Sequence, residues 1–448
     1  MNPPPAMLAV TGADLVWTGT AELPGATVRC DGPVVGAVEA SATTVPAGAA
    51  RLDATGCLIT PGLVNAHHHL LQTAFRTLPG ARHVPMRDWL ATMSAAYGRV
   101  GVDPELCAAA AAVAVAEGLL CGVTTVADHH LTWPAGADHL GMATAVVEAA
   151  GRLGGRLVLV RGTAGDDPEV AAGHAERLVG ALGLGPGGRR TDGMVQLAVG
   201  PAGVHSDAKE TFDLLGQVAA RHGLRRRTQA NEVVDVERAA ERYGRRPLEL
   251  LDEWGWLAPD VTVAHLCGIT VAELERLAAS GVTATHAPGC DLPSGWGVAP
   301  VAALLAAGVA VGLGTSGGGS NDAGHLLADA RLALQVAPLA VLAGAPLTAR
   351  HVLAMATAGS AAGLGRPDLG RLAPGTAADL VCWDVQGVAD AGVADPLAGL
   401  VWAAPGRRPR HVVAAGRVVV RDGRLVSGDE RTIAAALRRV LAGRGAPS

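Results

Sequence analysis

Lysine is almost missing from this chain: Lys209 is the only one, although lysine and arginine together number 36. Aromatic residues make up 3% of the 448 positions, and the formal net charge is −5 with acids and bases spread along the chain. A sequence of this kind has no basic stripe, which argues against nucleic acid as a partner. Cysteines are few, odd in number and free of any CxxC pair: Cys30, Cys57, Cys107, Cys121, Cys267, Cys290 and Cys382. That spacing excludes a disulfide framework and suits buried thiols in a reducing, cytoplasmic setting. Cys290 stands in a loop after a strand, where a thiol either packs or faces a site. No apolar run reaches the ~20 residues of a membrane span. The longest, "LCAAAAAVAVAEGLLCGV", is interrupted by Glu117 and Gly118 and reads as a buried helix. The opening "MNPPPAMLAVTGADL" lacks a basic segment followed by an apolar one, so no signal peptide is expected.

What is present is a large apolar fraction, 49% hydrophobic against 17% charged. Such a chain is globular, and too long for one simple core. Its middle repeats one pattern: a β-branched or apolar run, a polar residue at its C-terminal end, then a helical stretch. The runs are "CLITPGLVNAHHH", "GVTTVADHH", "RLVLVRGTAG", "VQLAVGPAGVHS", "RRRTQANE", "VTVAHLC", "GVTATHAPG" and "GVAVGLGTS". Helical segments over 105–120, 208–222, 270–280 and 325–336 separate several of them. The alternation predicts an α/β fold, a (β/α)8 TIM-like barrel over residues 59–369. Residues 1–58 and 370–448 have a Gly- and Pro-broken β texture and are expected to form one composite β-sandwich. A last segment, "DERTIAAALRRVLAG", has helical periodicity with acids first and arginine late.

The polar residues collect at the C-terminal ends of the strands, the face where barrels of this type carry their active sites. In "NAHHH" the period of two puts His67 and His69 on one face and His68 on the other. Two imidazoles at a barrel mouth make half a metal site, or two hydrogen-bonded strand-end histidines. The glycine run "GTSGGGSND" lacks the GK[ST] ending of a phosphate loop and reads as a turn allowing close approach.

The stretch "ITPGLVNAHHHLLQTAFRTLPG" resembles the first-strand signature of the amidohydrolase superfamily, in the branch of the triazine hydrolases and 8-oxoguanine deaminase. "LLCGVTTVADHHL", "VTVAHLC", "HAPGCDLPSGWGVAP", "VGLGTSGGGSND" and "LAMATAGSAAGLGRPDLGRLAPGTAADLVCWD" resemble later segments of that branch, in order. The resemblance implies one divalent metal, zinc first and iron second, that activates water for attack on a small nitrogen heterocycle. It implies His67 and His69 as ligands, His265 as a ligand or water-holding histidine, and Glu232 as the acid/base group. It also shows two departures. Gln229 stands where a fifth-strand histidine ligand is expected, and Ser316 where an eighth-strand aspartate is expected; the triazine hydrolases carry a hydroxyl residue at the second position too.

His67, His69 and His265 suffice for a metal with an open position. Gln229 can add an amide oxygen, and His129, His130, His205 or Asp322 can compensate; Asp322 reads equally as a helix N-terminal residue. Arg227 shares a strand face with Gln229, and either holds an anionic substrate or merely leads an arginine-rich segment into the strand. Trp296 either stacks a planar ring or is an exposed loop residue, and Trp89 belongs to the pocket or to the core. The leading expectation is a metal-dependent aminohydrolase of cyclic amidines, a homo-oligomer with a dimer first. The alternative is an altered enzyme of the same fold with a weakly held metal or none, doing non-hydrolytic acid/base chemistry around Glu232 and Arg227. A non-catalytic binding protein is the third expectation.

Overall fold

Apolar runs too short for helices and flanked by glycine become buried strands. The computed structural model describes residues 4–39 and 46–445, so residues 1–3, 40–45 and 446–448 of the two flanking segments lie outside the described residues. Its central sheet holds β1 (Leu63–His69), β2 (Val123–His130), β3 (Arg156–Thr163), β4 (Val195–Pro201) and β5 (Arg225–Ala230). It continues through β6 (Val261–His265), β7 (Thr283–His286), β8 (Val311–Leu313) and β9 (Ser316–Gly317). β1 to β4 are buried along their whole length, as strands covered on both faces must be. The order is β8-β7-β6-β5-β4-β3-β2-β1-β9, parallel throughout. Only Gly314 and Thr315 separate β8 from β9, so both edges of this sheet belong to one chain segment and the sheet curls back toward its start. This is an α/β, TIM-like architecture with helices between the strands.

The helices start and stop where their caps dictate. Pro104–Leu120 is capped by Asp103, whose side chain accepts from Leu106 N. Val271–Ser280 opens with a Thr270–Glu273 capping box, and Lys209–His222 ends on Gly223 in the left-handed region. Each such cap contributes about 1 kcal/mol. The segment Leu326–Val336 is also helical, as is Glu430–Ala442, capped by Asp429.

The first predicted strand is in fact two. Cys57–Pro61 pairs antiparallel with Leu380–Asp384, outside the central sheet, and β1 starts only at Leu63. Gly62 makes the crossing: a Cβ there would collide with the side chain of Thr124. The seven-stranded sheet that receives Cys57–Pro61 draws Leu15–Trp17 and Glu22–Pro24 from the N-terminal flank. The C-terminal flank gives it His411–Ala414, Arg417–Arg421 and Arg424–Leu425 besides Leu380–Asp384. A separate four-stranded sheet holds Leu8–Thr11, Thr27–Asp31, Val34–Glu39 and Ala50–Asp53. One apolar cluster joins Leu8, Val10, Val28 and Leu52 of the smaller sheet to Ile59, Leu380 and Val413 of the larger.

An ion pair ties this region to the central sheet. Arg156, at the start of β3, donates from Nε and Nη2 to the two oxygens of Asp379 at 2.7 and 3.0 Å. Asp379 also accepts from Ala415 N at 2.7 Å. The glycines at and after the end of β9 allow the expected close approach: a Cβ on Gly317 or Gly318 would overlap Gln72. Among the described residues no helix is long and apolar enough to cross a membrane.

Candidate active site

The C-terminal ends of β1, β2 and β6 deliver four imidazoles to one place. The rings of His67 and His69 lie 4.9 Å apart, His67 and His265 5.2 Å, and His67 and His129 5.9 Å. His68, on the other face of β1, is bonded through Nδ1 to the carbonyl of Ser316. The period-two reading of "NAHHH" therefore describes the strand.

His69 Nδ1–H donates to the His129 carbonyl at 2.6 Å, which leaves Nε2 with its lone pair. His67 Nε2 is buried with no hydrogen-bond partner. Burial, reinforced by the neighbouring imidazoles, holds His67 well below the ordinary histidine range. Burial likewise pulls His69 down to about 4 and His129 down to about 3. These are neutral rings, the form that ligates a cation.

His265 differs. Its Nδ1 lies 2.6 Å from Asp291 Oδ1 and its Nε2 lies 2.9 Å from Gln229 Oε1. Burial opposes its protonation, but Asp291 and Glu232 outweigh burial and raise its pKa. Glu232 is buried, and burial pushes its carboxyl up. Its Oε1 is 3.8 Å from His265 Nε2, its Oε2 is 3.8 Å from His205 Nδ1, and Oε2 has no hydrogen-bond partner. Asn231, His265 and Ser316 all have φ in the left-handed region, at 62°, 72° and 53°. Left-handed backbone thus occurs at three residues that frame the site.

A cavity of about 700 Å³ opens over this floor, lined by His69, Gln229, Glu232, Cys290, Trp89 and Trp296 among others. Trp296 is no exposed loop residue: it is 9% exposed, and its ring stands edge-on to His265 at 5.0 Å. Trp89, on the helix Met86–Val100, donates from Nε1 to the Gly319 carbonyl at 3.0 Å.

Arg227 does not line this cavity. It points inward as expected, but one layer deeper, where it donates to the Ala66 carbonyl and leaves Nε and Nη1 without partners. Burial lowers its pKa to about 9. Asp322 is neither a helix cap nor part of the site; it pairs with Arg82 and accepts from Thr77 N at 2.7 Å. His130 lies 3.6 Å from Asp128 and bonds to the Thr132 carbonyl. His205 stands in the loop after β4, beside Glu232, and bonds to Asp235 Oδ1 at 3.2 Å. Sequence reasoning missed Asp291 and Asp235, the carboxylates that orient His265 and His205.

The donor set suits a divalent ion of the zinc or iron class. Two neutral imidazoles have an open nitrogen each, one of them fixed by a carbonyl on its other nitrogen, as ligating histidines usually are. His265 can join them by releasing Gln229.

Comparison with known proteins agrees with this geometry. The sequence profile described as "Amidohydrolase family" matches residues 58–419. The chain is 35% identical over 412 residues to 8-oxoguanine deaminase of Pseudomonas aeruginosa, covering 88% of this chain and 90% of that one. It is 33% identical over 395 residues to 5-methylthioadenosine/S-adenosylhomocysteine deaminase of Halobacterium salinarum, covering 87% of each. Among solved structures it resembles the zinc complex of atrazine chlorohydrolase from Arthrobacter aurescens TC1. That likeness has a TM-score of 0.89 at 35% identity, over 97% of this chain and 100% of that one.

Proposed function

We propose that this chain, which belongs to the amidohydrolase family, is a metal-dependent hydrolase that exchanges an amino group on a small nitrogen heterocycle for oxygen. The observation that carries the reading is Glu232: a buried carboxyl, raised by burial, with a free oxygen on the cavity lining, 3.8 Å from the His265 ring that reaches His67. His67, His69 and His265 would hold the ion. When bound, it brings a Lewis acid and an easily deprotonated water to the site.

The chain's own residues do the rest. The His129 carbonyl fixes the tautomer and tilt of His69. Glu232 takes the proton of the attacking water and returns it to the ring nitrogen or the departing amine, so a C–O bond forms, a C–N bond breaks and ammonia leaves. Asp291 keeps His265 aimed at the same spot. Trp296 and Trp89 present aromatic surface on which a planar ring can lie. The relatives named above, a deaminase of 8-oxoguanine and one of 5-methylthioadenosine and S-adenosylhomocysteine, support the substrate class.

The two flanking sheets, with their common apolar cluster, are taken as one composite sandwich built from both chain ends, and a dimer as the working oligomeric state. The test is ammonia release by zinc-reconstituted protein from aminopurines, aminopterins and aminotriazines. Glu232→Gln should lower kcat by about 10²- to 10⁴-fold without lowering the melting temperature. Absence of ammonia from every class would remove this reading. A second reading, non-hydrolytic acid/base chemistry such as a ring rearrangement or elimination, is favoured only by the tie between Gln229 and His265; its product would contain no oxygen from water.

A further inference from the structure

All seven cysteines are free and buried, but only Cys290 lines the cavity. It does not stand alone there. Ligand atoms of His265, Cys290 and Asp291 all lie within 4.8 Å of one another, the one such group of three donors among the described residues. Asp291 is fully buried, and its Oδ2 has no hydrogen-bond partner and lies 3.6 Å from His286 Nδ1; Glu232 Oε2, on the cavity lining with Cys290, has no partner either. The group joins the histidine cluster through His265, whose ring is 5.2 Å from that of His67.

We propose that Cys290 is a thiolate ligand of the divalent ion, recruited alongside His265 while Asp291 keeps its place behind that ring. The inference rests on the metal-dependent reading given above. Its chemistry follows from what the floor otherwise offers. Gln229 presents an amide oxygen and Ser316 a hydroxyl, and the Ser316 hydroxyl is already bonded to Ser320 Oγ at 3.3 Å. Neutral oxygens suit calcium and magnesium better than zinc. Thiolate and imidazole together are a donor set that zinc favours. On binding, the S–H proton leaves to solvent and an S–metal bond forms, with no change of oxidation state. The thiolate adds the negative charge that the neutral residues at 229 and 316 do not.

The test is cobalt(II) loading of the full-length metal-free protein, with bound cobalt counted by mass spectrometry. A thiolate-to-cobalt charge-transfer absorption in the near ultraviolet is expected. Cys290→Ser should abolish it, while Cys121→Ser, a buried thiol outside the cavity, should leave it intact. Stoichiometric cobalt without that absorption would overturn the ligand assignment and leave the hydrolase reading standing. Failure to bind cobalt or zinc at all would overturn both. Should Cys290→Ser not fold, alkylation of the wild-type protein still decides. Zinc should slow modification of Cys290 by iodoacetamide at least tenfold, and an unchanged rate would overturn the proposal.

Discussion

The imidazole of His265 is clamped between two side chains, with Asp291 Oδ1 at 2.6 Å on one nitrogen and Gln229 Oε1 at 2.9 Å on the other. Asp291 holds the ring from the short helix that follows β7. Asp291→Asn should lower kcat about 10- to 100-fold with KM little changed, the usual effect of losing a carboxylate behind a working histidine. Steady-state kinetics at constant metal loading check this. A change in KM alone would place Asp291 in binding instead.

The other half of the clamp bears on the ion. Gln229 occupies a histidine nitrogen and offers only a neutral oxygen in return. Gln229→His should tighten zinc binding by tenfold or more in competition with a chromophoric chelator. Equal affinities would mean that Gln229 does not limit the site.

Stability depends on a clamp of another kind. Arg156 and Asp379 are both buried, and they bridge β3 to the strand Leu380–Asp384 region. Arg156→Met would leave Asp379 buried and unpaired, at a cost of about 3–5 kcal/mol. Urea denaturation should show this as a lower midpoint with an unchanged m-value.

Acid should weaken the fold through histidines that are buried neutral. His174 accepts from Arg161 Nε at 2.8 Å, and burial, then Arg161, pull its pKa down to about 3. In the unfolded chain it takes up its proton near the ordinary value of about 6.5. Its folded pKa is therefore the lower one. The stability it contributes is complete above the unfolded value and is lost as pH falls from there toward 3. His174→Gln should flatten the pH dependence of unfolding across that window by about one proton. Parallel profiles for the two proteins would show that His174 does not titrate there.

Local pattern carried much of this molecule. The strands β1 to β8, except the arginine-rich β5, follow from apolar runs and the glycines around them, and the shared face of His67 and His69 follows from the strand repeat alone. Depth is what a strand repeat does not report. Arg227 and Gln229 share a face, but two residues of strand is about 6.6 Å, enough to separate a cavity wall from a sealed layer. Asp291 escaped notice because its partner lies 26 residues away, in another strand. The break at Gly62 was invisible because apolar residues continue on both sides of it and both halves are buried throughout.

The junction of β9 with β1 sets the order in which this molecule can mature. Ser316 pairs with His68 and Gly317 with His69, and Asn65 Nδ2 donates to Thr315 Oγ1 at 2.7 Å across 250 residues of sequence. Closing a loop of that length is slow, and nothing rewards it until the last strand docks. His67 and His69 are made early, but the strand that carries them gains its second neighbour only when Ser316 and Gly317 arrive. The pairing of β1 with β9 is thus the one seam of this sheet that sequential strand addition leaves open to the end.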